Sequence, residues 1–154
     1  MYDSYTAHTT TFMIRFFSKE DEEKIIASIK AAEQQTSGEI RVHLVEKPKK
    51  DMMADALRIF HKLGMHETEQ RNGVLILLAP GIRQFAIIGD EGINDAVPEG
   101  FWEEERNIMQ EHFRRQEYGE GVALVIRQIG DKLKTFFPYQ NDDVNELPDE
   151  ISYE

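Results

Sequence analysis

Between Gly73 and Ala79 the chain runs Val74-Leu75-Ile76-Leu77-Leu78 without one polar side chain. Such a run leaves no face for water, which suits a strand covered on both sides. Covering both sides of a strand takes other elements packed on it, so the chain is constrained to a layered arrangement. Pro80-Gly81 directly after the run is a turn signal. Phe85-Ala86-Ile87-Ile88 follows and reads as a further strand. So short a connection makes the pair an antiparallel hairpin.

The residues around this hairpin alternate between two periods. Ser18 with Asp21 three residues on is close to a capping box and opens a helix. Ile25, Ile26, Ile29 and Ala32 then recur at helical spacing, and Gly38 suits the left-handed position that ends such a helix. From Glu39 the period becomes two: Ile40, Val42 and Leu44 form an apolar face, and Glu39, Arg41 and His43 a polar one. Met53, Ala56, Leu57, Phe60 and Leu63 mark a second helix closed by Gly64. A helix between two strands implies a parallel crossover. Trp102, Met109 and Phe113 suggest a third helix, with Ile108 on its shoulder. Val122, Val125, Ile126, Ile129, Leu133, Phe136 and Phe137 mark a last helix stopped at Pro138. The reading is α/β: a small mixed sheet in the order helix, strand, helix, strand, strand, helix, helix.

With 154 residues the chain forms one domain. A loosely ordered N-terminal segment is expected over 1–15, a folded body over 16–138 and an acidic tail over 139–154. The tail carries Asp142, Asp143, Glu146, Asp149, Glu150 and Glu154 and no Lys or Arg, and reads as a solvated extension. The absence of cysteine excludes disulfides, thiolate metal sites and thiol nucleophiles. A net charge of −11 disfavours nucleic acid and anionic membranes and suits metal cations and basic partners. No apolar run approaches the roughly 18 residues of a membrane span, and the N-terminus does not read as a secretory leader. The expectation is a cytoplasmic monomer.

The crossover and the hairpin together make a functional prediction. If the first two strands are parallel and the third returns, three turns meet at one sheet edge: Thr36-Ser37-Gly38-Glu39, Arg71-Asn72-Gly73 and Gly89-Asp90-Glu91-Gly92. Glu39, Asp90 and Glu91 bring carboxylates there, with Asn94 and Asp95 just beyond. Carboxylate and carbonyl oxygens on flexible turns suit a hard divalent cation, Ca2+ or Mg2+. The structural alternative is that Arg71 bridges Glu39 or Asp90 and the glycines serve only their turns.

Thr36-Ser37-Gly38-Glu39-Ile40-Arg41, Arg71-Asn72-Gly73-Val74-Leu75 and Gly89-Asp90-Glu91-Gly92-Ile93 resemble, in order and spacing, the three signature blocks of the TPM domain family. That family includes the thylakoid-lumen acid phosphatase involved in photosystem II repair and many bacterial proteins. The resemblance spans roughly residues 17 to 137, and the stretch Asn141 to Pro148 is similar to the tails of small soluble bacterial members. It implies a Rossmann-like three-layer α/β/α sandwich. It also implies divalent-cation binding by acidic loop residues, with calcium in some relatives, and a phosphatase activity claimed for plant relatives. Carried over residue by residue, it falls on Glu39, Arg71, Asp90, Asn94 and Asp95.

Visible catalytic parts are few. The chain has no cysteine nucleophile, no Asp-x-Asp pair and no phosphate-cradling glycine loop. A cation at Glu39 and Asp90, with Arg71 stabilising charge, is the remaining route to phosphomonoester hydrolysis, so Asp90 and Arg71 are the catalytic candidates. His61 and His66 read as helix-end or surface residues, and His43 as a residue that lines a groove on the polar strand face. Trp102 reads as a core residue, or else as a lid over the ligand loop. Two functional classes result: a cation-binding domain with weak metal-dependent phosphatase activity, or a non-catalytic module that recruits a protein partner around a structural charge cluster.

Overall fold

Ser18 caps the first helix as its sequence predicts. Its hydroxyl accepts from the Asp21 N–H at 3.0 Å, and its own N–H donates to the Asp21 carboxylate at 3.3 Å. In the computed structural model, which describes residues 16–140 and 151–154, this helix, α1, spans Lys19–Glu33. Then follow β1 (Glu39–Leu44), α2 (Met52–Lys62), β2 (Gly73–Ala79), β3 (Gln84–Gly89), a single helical turn α3 (Glu91–Asn94), α4 (Phe101–Arg114), α5 (Tyr118–Leu133) and β4 (Ile151–Tyr153). The readings for residues 1–15, and for the part of the tail at 141–150, fall outside the described residues.

The sheet has the order β3-β2-β1-β4. β1 and β2 are parallel with Glu39 opposite Gly73, and β2 and β3 are antiparallel with Val74 opposite Gly89. β2 is buried along its whole length, as its apolar run requires. One face of the sheet packs on α1, α4 and α5 through Ile25, Ile29, Val42, Ile76, Met109 and Ile126. The other packs on α2 through Ala56, Ile59, Phe60, Leu75 and Leu77. The result is a three-layer α/β/α sandwich.

Three expectations change. Gly38 is not a left-handed cap: positive φ among the described glycines occurs at Gly64 and Gly100. α1 ends at Glu33, and the Thr36 hydroxyl and Ser37 N–H instead bond the Phe137 carbonyl. α5 ends at Leu133, one turn before Pro138, and leaves Phe137 buried and Phe136 exposed. Ile151–Tyr153 are not a solvated extension: they add a fourth strand, parallel to β1, with Val42 opposite Ile151 and Leu44 opposite Tyr153.

Ile126 is fully buried where α5 meets the sheet and α1. Ile126→Ala is expected to cost about 2–5 kcal/mol through the cavity it leaves, read as a lowered urea midpoint at unchanged slope.

Candidate functional site

The register delivers the three expected turns to one edge of the sheet. The Glu39 N–H donates to the Asn72 carbonyl at 3.2 Å, the Asp90 N–H to the Gly73 carbonyl at 2.9 Å, and the Gly92 N–H to the Arg71 carbonyl at 2.9 Å. Gly92 is there because a Cβ would lie 2.2 Å from the Gln70 carbonyl oxygen and 2.6 Å from that of Arg71. No side chain fits between backbones that close. Arg71 itself takes a left-handed backbone, φ 51°, which is uncommon for a residue with a Cβ.

Asp90 is buried and caps α3, its Oδ1 accepting from the Glu91 N–H at 2.8 Å. Arg71 grips both of its oxygens, Nε to Oδ2 at 2.7 Å and Nη2 to Oδ1 at 2.9 Å. The third nitrogen of the fork, Nη1, donates to Glu91 Oε1 at 3.0 Å. Two neighbouring carboxylates therefore share one guanidinium, which is 40% exposed. Hydrogen bonding to Asp90 is the main cause that holds the guanidinium above its ordinary pKa.

The Asn94 side chain is occupied on both ends. Its amide donates to the Gly89 carbonyl at 3.1 Å, and its oxygen accepts from Trp102 Nε1 at 2.9 Å. Trp102 is half-buried and packs against the margin of the main core, and its ring lies on Gly89, where a Cβ would approach to 2.4 Å, at the rim of an open depression lined by Asn94, Pro98, Gly100 and Arg106. Asp95 is exposed at the end of α3. Glu39 is buried and lies on the polar face of β1, with Arg41 and His43. Among the described residues, no three His, Asp or Glu side chains converge as metal ligands. The turns meet as predicted, but the expected common pocket of acids is replaced by Asp90 and Glu91 paired on Arg71.

Against known proteins, the model of the TPM domain matches residues 13–132. The chain belongs to the TPM domain family. The solution structure of the BA42 protein from the psychrophilic bacterium Bizionia argentinensis has 41% identity and a TM-score of 0.85 to this TPM domain, covering 90% of this chain and 96% of that one. Two further solution structures share the fold. The N-terminal domain of a P. gingivalis protein is 19% identical with a TM-score of 0.67, covering 82% of each chain. The N-terminal domain of the cg2496 protein from Corynebacterium glutamicum is 16% identical with a TM-score of 0.56, covering 88% of this chain and 79% of that one. No curated protein matches. No helix among the described residues is long and apolar enough to cross a membrane.

The TPM domain carries a second polar cluster, which the sequence reading does not assemble. It lies where β4 pairs with β1, on the sheet face toward α2. His43 is 2% exposed; its Nδ1 and the Ser152 hydroxyl are 2.6 Å apart, and its Nε2 lies 3.9 Å from Glu154 Oε1. Arg41 Nε donates to Ser152 at 3.3 Å. Glu154 receives Arg58 at 2.7 Å and Lys62 at 2.6 Å, both from α2. Asp55, also buried, accepts from the Lys49 N–H at 2.9 Å and from Arg58 at 3.3 Å. Burial is the main force that pushes the His43 imidazole down to about 4, with Arg41, Lys62 and Arg58 adding repulsion against the opposing pull of Glu154. Hydrogen bonding from Arg58 holds the Glu154 carboxyl down at about 2. His61 and His66 lie against each other with ring centres 4.4 Å apart and planes tilted by 49°, on either side of Gly64, which closes α2 as its sequence predicts and does so with a left-handed backbone.

The His43 imidazole takes up its proton near 6.5 in the unfolded chain and near 4 in the folded one. Its contribution to stability is therefore complete above pH 6.5 and is lost as pH falls toward 4, by an amount on the order of 3 kcal/mol. Glu154 extends the loss from about 4.5 to about 2. Urea midpoints between pH 7 and 4.5 are expected to fall for the wild type and to flatten across that range in His43→Gln.

Proposed function

We propose that the turn at Asp90 and Glu91 binds a divalent cation, Ca2+ or Mg2+, in exchange for the Arg71 guanidinium. One observation carries the reading: two adjacent carboxylates are already drawn onto one positive charge, at the edge of the sheet and next to solvent. Hard oxygen donors on a turn are the ligands these ions take. Asp95 stands one helical turn beyond Glu91 and completes the candidate set, which Asn94, one turn beyond Asp90, would join only by turning its oxygen from the Trp102 indole N–H. Three carboxylates fall short of the six to eight oxygens that calcium takes, so water supplies the rest and binding is weak. Glu39, buried in the sheet face, is left out of this set.

Metal-dependent hydrolysis of phosphomonoesters is the finer form of the proposal. Asp90 would hold the ion, and Arg71, once released, would be free to stabilise phosphoryl charge. The non-catalytic interaction module is the second reading. It is favoured by the hold of Arg71 on both Asp90 oxygens, which suits a purely structural clamp.

Calcium titration of chelator-treated protein followed by amide NMR separates the two. Cation binding predicts shifts confined to residues 70–73 and 89–95 and a raised Tm. Asp90→Ala is expected to abolish those shifts in a chain that stays folded, at a cost of about 0.5–2 kcal/mol for the lost α3 cap. An unresponsive wild-type loop, or an Asp90→Ala chain that unfolds, assigns Asp90 to a structural clamp instead. Phosphate release from a generic monoester at equal rates in the wild type and Asp90→Ala removes the hydrolase.

A further inference from the structure

Residues 151–154 are held less by burial than by a set of position-specific contacts. The backbone is anchored by the Glu154 N–H on the Leu44 carbonyl at 2.9 Å and the Glu46 N–H on the Glu154 carbonyl at 3.1 Å. Alternate side chains then face opposite layers. On the α2 side, the Ser152 hydroxyl meets His43 and Arg41, and the Glu154 carboxylate meets Arg58 and Lys62. On the other side, Ile151 and Tyr153 rest on the main core, and the Tyr153 hydroxyl donates to Glu22 at 2.7 Å. His43 Nε2, buried and without a hydrogen-bond partner among the described residues, faces the Glu154 carboxylate. Backbone groups of β1 and side chains of α1, β1 and α2 thus form one groove with a defined reading frame: apolar residue, hydroxyl, tyrosine, acid.

We propose that this groove is a docking site for an extended acidic segment of a partner protein, added to the sheet beside β1, and that residues 151–154 occupy it in cis. Strand addition of this kind takes its hold from main-chain bonds and its specificity from alternate side-chain pockets. Both are present here, and the charge is complementary at this point: Lys62, and Arg58 which Asp55 also holds, both reach the one carboxylate at position 154. The resident strand pairs over only three residues, all half-buried, so its hold is short. A strand that leaves exposes the backbone groups of β1 as a sheet edge, which is a template for another strand. Tethering raises the local concentration of the resident segment, so a partner must bind more tightly than it does.

The test opens the groove in the full chain. Glu154→Pro removes at once the N–H on Leu44 and the carboxylate on Arg58 and Lys62. Acetylated Asp-Glu-Ile-Ser-Tyr-Glu is then titrated into the 15N-labelled variant and wild type. The expected result is shifts at residues 42–46, 58 and 62 in the variant, with half-saturation at least about tenfold below that of the wild type. A peptide ending in Gln should bind at least about fivefold more weakly, since it lacks the charge-assisted bonds. Absence of shifts at about 5 mM peptide, equal binding by both chains, or equal binding of both peptides overturns the proposal. If Glu154→Pro leaves residues 151–153 paired, Ser152→Pro/Glu154→Pro is the second opened form, and a strand docked in both is a fixed part of the sheet, which overturns it too. A wild-type dimer that exchanges β4 by light scattering and NMR makes a second copy the occupant and overturns the assignment to a partner protein.

Discussion

The burial of β2 on both faces is the constraint from which the rest of the molecule follows. A strand with no polar side chain needs cover above and below, and α1, α4 and α5 supply it on one side and α2 on the other. Its ladder bonds do the remaining work. One edge of β2 accepts β1 in parallel and the other β3 in antiparallel, so the start of β1, the start of β2 and the end of β3 lie at the same end of the sheet. Hydrogen bonds from Glu39, Asp90 and Gly92 then tie three distant turns into one ledge.

At that ledge, chemistry and architecture compete for the same oxygens. Asp90 caps α3 and accepts two bonds from Arg71. A capped, charge-paired carboxylate holds a loop together, and two such carboxylates on one guanidinium are also a ready anionic site. Which role dominates depends on whether Arg71 yields to a competing cation. Its exposure and its left-handed backbone place it at the surface, on a turn rather than in a packed element.

Fold and loop convergence are readable because they depend on local patterns. The capping box at Ser18, the period-two run from Glu39, the five apolar residues of β2 and the turn at Pro80-Gly81 each report on a few neighbouring residues. Chirality and connection length then dictate parallel and antiparallel pairing. The partner of each charged side chain is not local. Asp90 and Arg71 are 19 residues apart, and the sequence allows Glu39 as an equal candidate for that arginine until the register is known. Trp102 has the apolar bulk of a core residue, and only the approach of its helix to Gly89 places it over the loop.

The sequence by itself determines an α/β fold, seven of its nine described elements in their order (the α3 turn and β4 are the two it does not give) and the meeting of three glycine-bearing turns, because hydrophobic period and turn chemistry act within a few residues. It also points to the TPM domain family through those turns. Tertiary structure alone decides that the polar face of β1 is buried, that Ile151–Tyr153 become a strand, and that His43, Arg58, Lys62 and Glu154 form one cluster. The physical reason is distance along the chain. Ser152 and His43 are 109 residues apart, and nothing in an acidic, polar terminus announces the sheet edge that awaits it.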